Sequence, residues 1–289
     1  MTGRLAEVEA RMETVNKLSA VIGAMRGIAA ARTQEANRHL ESIRTYADTI
    51  GDAIGQALAF LPGACAPLSD GAADGAGRRA IVVFCAEQGF AGAFSRRVLD
   101  LARETMRLSP QDGHDLLIVG SRGLPDVEEA GLEVAWSTPM ISHPKKAGGL
   151  AGRITEAIYE RLASREISEV SVIHSLPGPP GEDDLLIKRL VPFDFSRFPA
   201  ARHVIAPRLT LPPEQLFTRL AEEYVFAELS EAVVLSFAAE NEARMRAMIA
   251  AHDNVTETLT DLTASARRLR QEEITNEIVE LATGSQKER

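Results

Sequence analysis

Between residues 4 and 61 the chain has no proline, and apolar or small residues return at alternating steps of three and four: Leu5, Val8, Met12, Val15, Leu18, Ile22, Met25 and Ala29. After Arg32 the rhythm resumes through Ala36, Leu40, Ile43, Ala47, Ile50, Ile54, Ala57 and Leu61. One apolar seam at this period predicts a single helix over residues 1–61, on the order of 85 Å long. Pro62 stops it. A helix of that length cannot lie along a compact domain of this size, so it must project and needs a partner.

A second run starts after Pro212 and Pro213 and meets no further proline or glycine until Gly284. Its seam passes through Leu216, Leu220, Tyr224, Ala227, Val234, Phe237, Asn241, Met245, Met248, His252, Val255, Leu259, Leu262, Ala266 and Leu269, with Ile274, Ile278 and Leu281 beyond. The predicted helix fills 212–289. One helix opens the chain and the other closes it, so an antiparallel coiled coil is the simplest way to bury both seams.

The period changes in the middle. A Gly/Ala/Pro/Asp-rich joint at 62–77 leads into Ala80-Ile81-Val82-Val83-Phe84-Cys85, a run that predicts a strand buried on both faces. Further strands are expected at 116–119, 132–136, 170–173 and 185–191, with helices at 93–108 and 147–165. Strands alternating with helices predict a mostly parallel, doubly wound α/β domain over 78–211.

Composition narrows the reading. Of 289 residues, 45% are apolar and 25% charged, which excludes a disordered or fibrous chain. With 1 Trp, 3 Tyr and 10 Phe, the interior must rely on aliphatic side chains and alanine. The net charge of −9 would repel a nucleic-acid backbone, and no basic stripe offsets it, so no nucleic-acid partner is expected. Residues 212–289 carry eight basic and fifteen acidic side chains, whereas residues 1–61 carry seven of each. A solvated face or a complementary partner surface would each account for that excess. No apolar run approaches the roughly 18 residues of a membrane span. Arg4, Glu7 and Glu9 stand where a signal peptide needs an apolar stretch, so the protein is expected to remain where it is made.

Candidate chemistry is sparse. Cys65 and Cys85 have no CxxC spacing, and the six histidines form no HExxH pattern or carboxylate pairing, so no metal and no catalytic residue is assigned. The loop Glu87-Gln88-Gly89-Phe90-Ala91-Gly92-Ala93 occupies the strand-to-helix position where α/β proteins hold phosphate. It lacks both the GxGxxG spacing and a Walker lysine, which favours a structural turn and no cofactor. Asn241 and His252 fall on the apolar seam, either as register-setting polar residues or as contacts for an outside partner.

The two ends of the chain carry a family resemblance. Ala24-Met25-Arg26-Gly27-Ile28-Ala29-Ala30-Ala31-Arg32 resembles the alanine-methionine segment near the start of the F-type ATP synthase gamma subunit, with Leu5, Val8 and Met12 in that family's upstream phase. Glu240-Asn241-Glu242-Ala243-Arg244-Met245-Arg246-Ala247-Met248, followed by Asn254, Leu262, Arg267, Arg268, Gln271, Ile274, Thr275, Glu277 and Ile278, is similar to the family's C-terminal signature. The turn departs from the pattern: Cys85-Ala86-Glu87-Gln88-Gly89-Phe90 stands where the family usually reads Ser-Asp-Arg-Gly-Leu. Gly23 replaces a common basic residue. The resemblance therefore extends to a divergent or alternative rotary ATPase.

The resemblance implies a long antiparallel coiled coil of the terminal helices around a central Rossmann-like doubly wound domain. It implies a central-stalk rotor that turns inside the alpha/beta hexamer and couples ion-driven rotation to ATP synthesis or hydrolysis, with epsilon and the c-ring held by the globular foot. Membrane contact would come only through the complex, at the cytoplasmic face of a bacterial inner membrane. Met25, Arg26 and Arg32 on the first helix and Arg244, Met245 and Met248 on the last are the implied shaft contacts, the arginines lying on solvated faces. The rival readings are a nucleotide-binding enzyme with a helical dimerisation arm, disfavoured by the missing fingerprint, and a free-standing coiled-coil adaptor or chaperone.

Overall fold

The computed structural model describes residues 2–58, 60, 78–108, 113–178, 184–194, 197–198 and 209–287. The joint expected at 62–77, Cys65 and Pro62 lie outside them. In chain order the elements are α1 (Thr2–Leu58), β1 (Arg78–Phe84), α2 (Phe94–Leu108), β2 (His114–Val119), α3 (Leu124–Glu129), β3 (Val134–Thr138), α4 (Ala147–Ala163), β4 (Ile167–Ser175), β5 (Leu185–Val191) and α5 (Pro213–Lys287). The chain forms two compact units, Met1–Ala29 with Arg244–Arg289 and Ala30–Ala243.

In the unit Ala30–Ala243 a five-stranded sheet has the order β3-β2-β1-β4-β5. The first four strands run parallel and β5 pairs antiparallel to β4. One antiparallel edge strand on four parallel ones agrees with the mostly parallel sheet expected. The link from Ser175 to Leu185 is shorter than the roughly dozen residues a parallel crossover needs, and the Leu176 amide closes it on the Asp184 carbonyl at 2.7 Å.

Alternation along β1 separates the two faces of the sheet. Ala80, Val82 and Phe84 join Leu150, Ile154 and Ile158 of α4, Val225, Leu229 and Val233 of α5, and Ala36 and Leu40 of α1. Ile81, Val83 and Cys85 pack instead with Val98, Leu99 and Ala102 of α2 and Val127 of α3. Covering both faces is what the uninterrupted apolar run of β1 requires.

Among the boundaries that differ from the sequence reading, two have local reasons. Gly131 adopts φ +66°, and Leu132 donates back to Val127 O at 3.2 Å, so Leu132 belongs to the end of α3 and the strand starts at Val134. At the end of α4, Arg165 takes φ +59° and Glu166 N reaches Arg161 O at 3.0 Å. Helix α5 continues through Gly284, one helical glycine costing only about 1 kcal/mol relative to alanine.

The seam of α5 is not a single stripe throughout. From Ala232 to Asn241 every residue is buried, because the sheet and α4 take one side of the helix while α1 takes another. Here α1 and α5 are antiparallel: Arg44 Nε meets Glu231 at 2.8 Å, Tyr46 Oη donates to Glu223 at 2.7 Å, and Ile54 and Leu58 pack with Tyr224. In the unit Met1–Ala29 with Arg244–Arg289, Ile22 packs with Met248 and Val255, joined by Val15, Met25 and Leu259. Arg270 reaches Glu9 there, again antiparallel.

Candidate functional site

The carboxyl ends of the parallel strands form the crevice where open α/β sheets ordinarily bind ligands. Two of the chain's own carboxylates occupy it. Glu87, just beyond β1, accepts from Ser121 N at 3.0 Å, Ser121 Oγ at 2.9 Å and Met140 N at 2.8 Å, tying together the segments that follow β1, β2 and β3. Glu240 of α5, 3% exposed, accepts from the amides of Glu87 at 3.3 Å and Gln88 at 3.1 Å. Ser95 Oγ accepts the Ala86 amide at 3.1 Å.

The first three amides of the turn are thus engaged, two of them by a carboxylate that carries the charge that repels phosphate. The neighbouring backbone is closely packed. A Cβ at Gly120, where φ is +105°, would lie 2.2 Å from Cys85 O. Burial also pushes the Cys85 thiol up to about 12, leaving it without thiolate character at neutral pH. Among the described residues no group of three or more His, Cys, Asp or Glu side chains could hold a metal, and no helix is long and apolar enough to cross a membrane.

Of the implied shaft contacts, Met25 and Met248 enter one apolar cluster, with Met248 5% exposed. Met245 is half-buried and Arg26 is exposed. Arg32, in the other unit, donates through Nη1 to Gln88 Oε1 at 2.9 Å. Arg244 corrects the expectation of a solvated arginine: it is 4% exposed. Asn241 is buried, and its Nδ2 donates to Phe237 O at 2.8 Å within its own helix, whereas the His252 side chain is 41% exposed beside Asp253.

Glu87, Gln88 and Glu240 received no role from the sequence. A signal was nonetheless present in an acid that directly ends the largely apolar stretch Ala232–Ala239. A second buried acid, Glu228, holds Lys188 of β5.

Residues 4–286 match the family described as ATP synthase. The chain is 30% identical to the ATP synthase gamma chain of Roseiflexus sp. (strain RS-1), with 96% of both chains covered. It is 29% identical to that of Frankia casuarinae, over 99% of this chain and 98% of the relative. Among solved structures, the rotor of Euglena gracilis mitochondrial ATP synthase is similar in fold, with a TM-score of 0.62 and 13% identity over 95% of this chain and 100% of that one.

Proposed function

The chain belongs to the ATP synthase gamma-chain family, and from that premise we propose how its parts serve the central stalk. It is the gamma subunit, the rotor shaft that couples ion-driven rotation to ATP synthesis or hydrolysis. The observation that carries this reading is the antiparallel meeting of the chain's two ends, Glu9 with Arg270 and Ile22 with Met248 and Val255. A rotor needs a stiff rod, and helices paired along apolar seams supply one.

In this proposal residues 1–61 and 212–289 form a coiled coil, 62–77 is a joint, and 78–211 is a Rossmann-like domain. The antiparallel contacts within each unit and the sheet covered on both faces support that division. The coil turns within the alpha and beta subunits, and the globular part holds epsilon and the c-ring at the cytoplasmic face of a bacterial inner membrane. Met25, Arg26, Arg32, Arg244, Met245 and Met248 form the torque-bearing region. Exposure of Arg26 suits direct contact, while the buried Arg244 and Met248 suit shaping the rod from within.

The chain itself performs no ATP chemistry on this reading, since Glu87 and Glu240 fill the nucleotide position with negative charge. The test is reconstitution. Purified chain should show no ATP turnover, and its addition to alpha and beta subunits should yield a rotating ATPase. Turnover by the chain alone, abolished by a substitution within it, would overturn the shaft assignment.

A further inference from the structure

Consecutive backbone amides converging on one anion is the arrangement by which α/β folds hold phosphate at the turn after a strand. Here that turn follows β1, and its amides converge on a carboxylate supplied by α5. Glu240 Oε2 and Oε1 lie 3.3 and 3.1 Å from the amides of Glu87 and Gln88, and the residue is 3% exposed. A buried carboxylate is tolerated only when donors replace its water, and backbone amides do so with charge-assisted hydrogen bonds.

We propose that the turn 86–93 is an anion receptor whose resident ligand is the chain's own Glu240 carboxylate, which thereby latches the turn to α5. The latch extends one step further. Gln88, held through its amide, presents Oε1 to Arg32 Nη1 of α1 at 2.9 Å. One carboxylate therefore sets the position of a loop and, through that loop, of an arginine on a different helix. Glu240 is a positioning residue in this scheme. Glu242, two residues on, accepts the Gly178 amide at 2.7 Å and anchors the same stretch of α5 independently of the turn. The inference concerns the chain alone and stands whether or not Arg32 touches another subunit.

The test uses the full chain without partners. In the wild type the amides of Glu87 and Gln88 should be protected from hydrogen exchange. Glu240→Gln, which keeps the shape and one acceptor oxygen, should speed both by roughly tenfold or more, whereas Glu242→Gln should leave them unchanged. Glu240→Ala should lower the main unfolding midpoint by roughly 5 °C. Formate should restore at least half of that loss saturably, and chloride at equal ionic strength should not. Wild-type amides that exchange freely would overturn the proposal even if the alanine variant does not fold. So would the absence of formate rescue, or equal rescue by chloride.

Discussion

Arg270 and Glu9, 261 positions apart in sequence, meet through Nη2 and Oε1 at 2.7 Å. The pair fixes the direction in which the last helix runs past the first, but both side chains are largely exposed, at 65% and 48%. Solvent and salt screen such a pair. A double-mutant cycle of Glu9→Ala and Arg270→Ala, read by urea unfolding, should return a coupling energy below about 1 kcal/mol.

The apolar cluster beside that pair should matter more. Met248→Ala removes a buried side chain from contact with Ile22 and Val255, and is expected to cost about 2–3 kcal/mol. Leu18→Ala, at a position 50% exposed, should cost less than about 0.5 kcal/mol. Amide exchange across 15–25 and 247–259 would localise the first loss.

Two of the three arginines of the proposed torque-bearing region should separate stability from coupling. Arg26→Ala, on an exposed position, is expected to change stability by less than about 0.5 kcal/mol and to reduce rotation-coupled ATP turnover in the reconstituted complex. Arg244→Ala, at 4% exposure, should lower stability by about 2 kcal/mol or more, since a long buried side chain and its packing are removed. Full coupling in the Arg26 variant would remove Arg26 from the contact surface.

His174 offers a pH dependence with a definite sign. Burial lowers its pKa from the ordinary 6.5, and Lys188 opposes its protonation further, while Ser175 O, Glu231 and Glu228 act in the other direction. The unfolded chain therefore binds this proton more readily, so the contribution is present above about 6.5 and is lost as the pH falls below it toward the folded value. Chemical denaturation at pH 7.5 and 5.5 should show a smaller acid loss for His174→Phe than for the wild type.

Gly120→Ala combines two faults, a φ of +105° and a Cβ placed 2.2 Å from Cys85 O. The expected cost is about 3 kcal/mol or more. Gly149→Ala, with nothing within 4 Å of the new carbon, should be neutral or stabilising by roughly 0.5–1 kcal/mol because α4 gains helix propensity. Thermal melts of the two variants provide the comparison.

Periodicity made the long helices and the buried strands legible, because each rests on a repeated local pattern. It did not reveal the direction of β5, which depends on how Leu176 and Asp184 close a short link. Nor did it reveal that α5 is enclosed around Ala232–Asn241, since a single seam describes one neighbour and this stretch has several. The shaft residues came from resemblance to a family, and their burial could not. Arg244 looks like any helical arginine until the elements around it are in place. Glu240 was visible as a motif residue, but its role depends on two amides more than 150 positions away.

Carboxylates built into the strand ends also decide what the subunit can sense. A fold that left those amides vacant would change stiffness and shape with each rise or fall of phosphate and nucleotide around it, because binding to the folded state alone shifts its stability with ligand concentration. With Glu87 and Glu240 covalently supplied, the occupant's local concentration is fixed by the chain and does not follow the metabolic state. At those amides the chain carries its own anion, so this part of the turn does not follow the phosphate or nucleotide concentration around it.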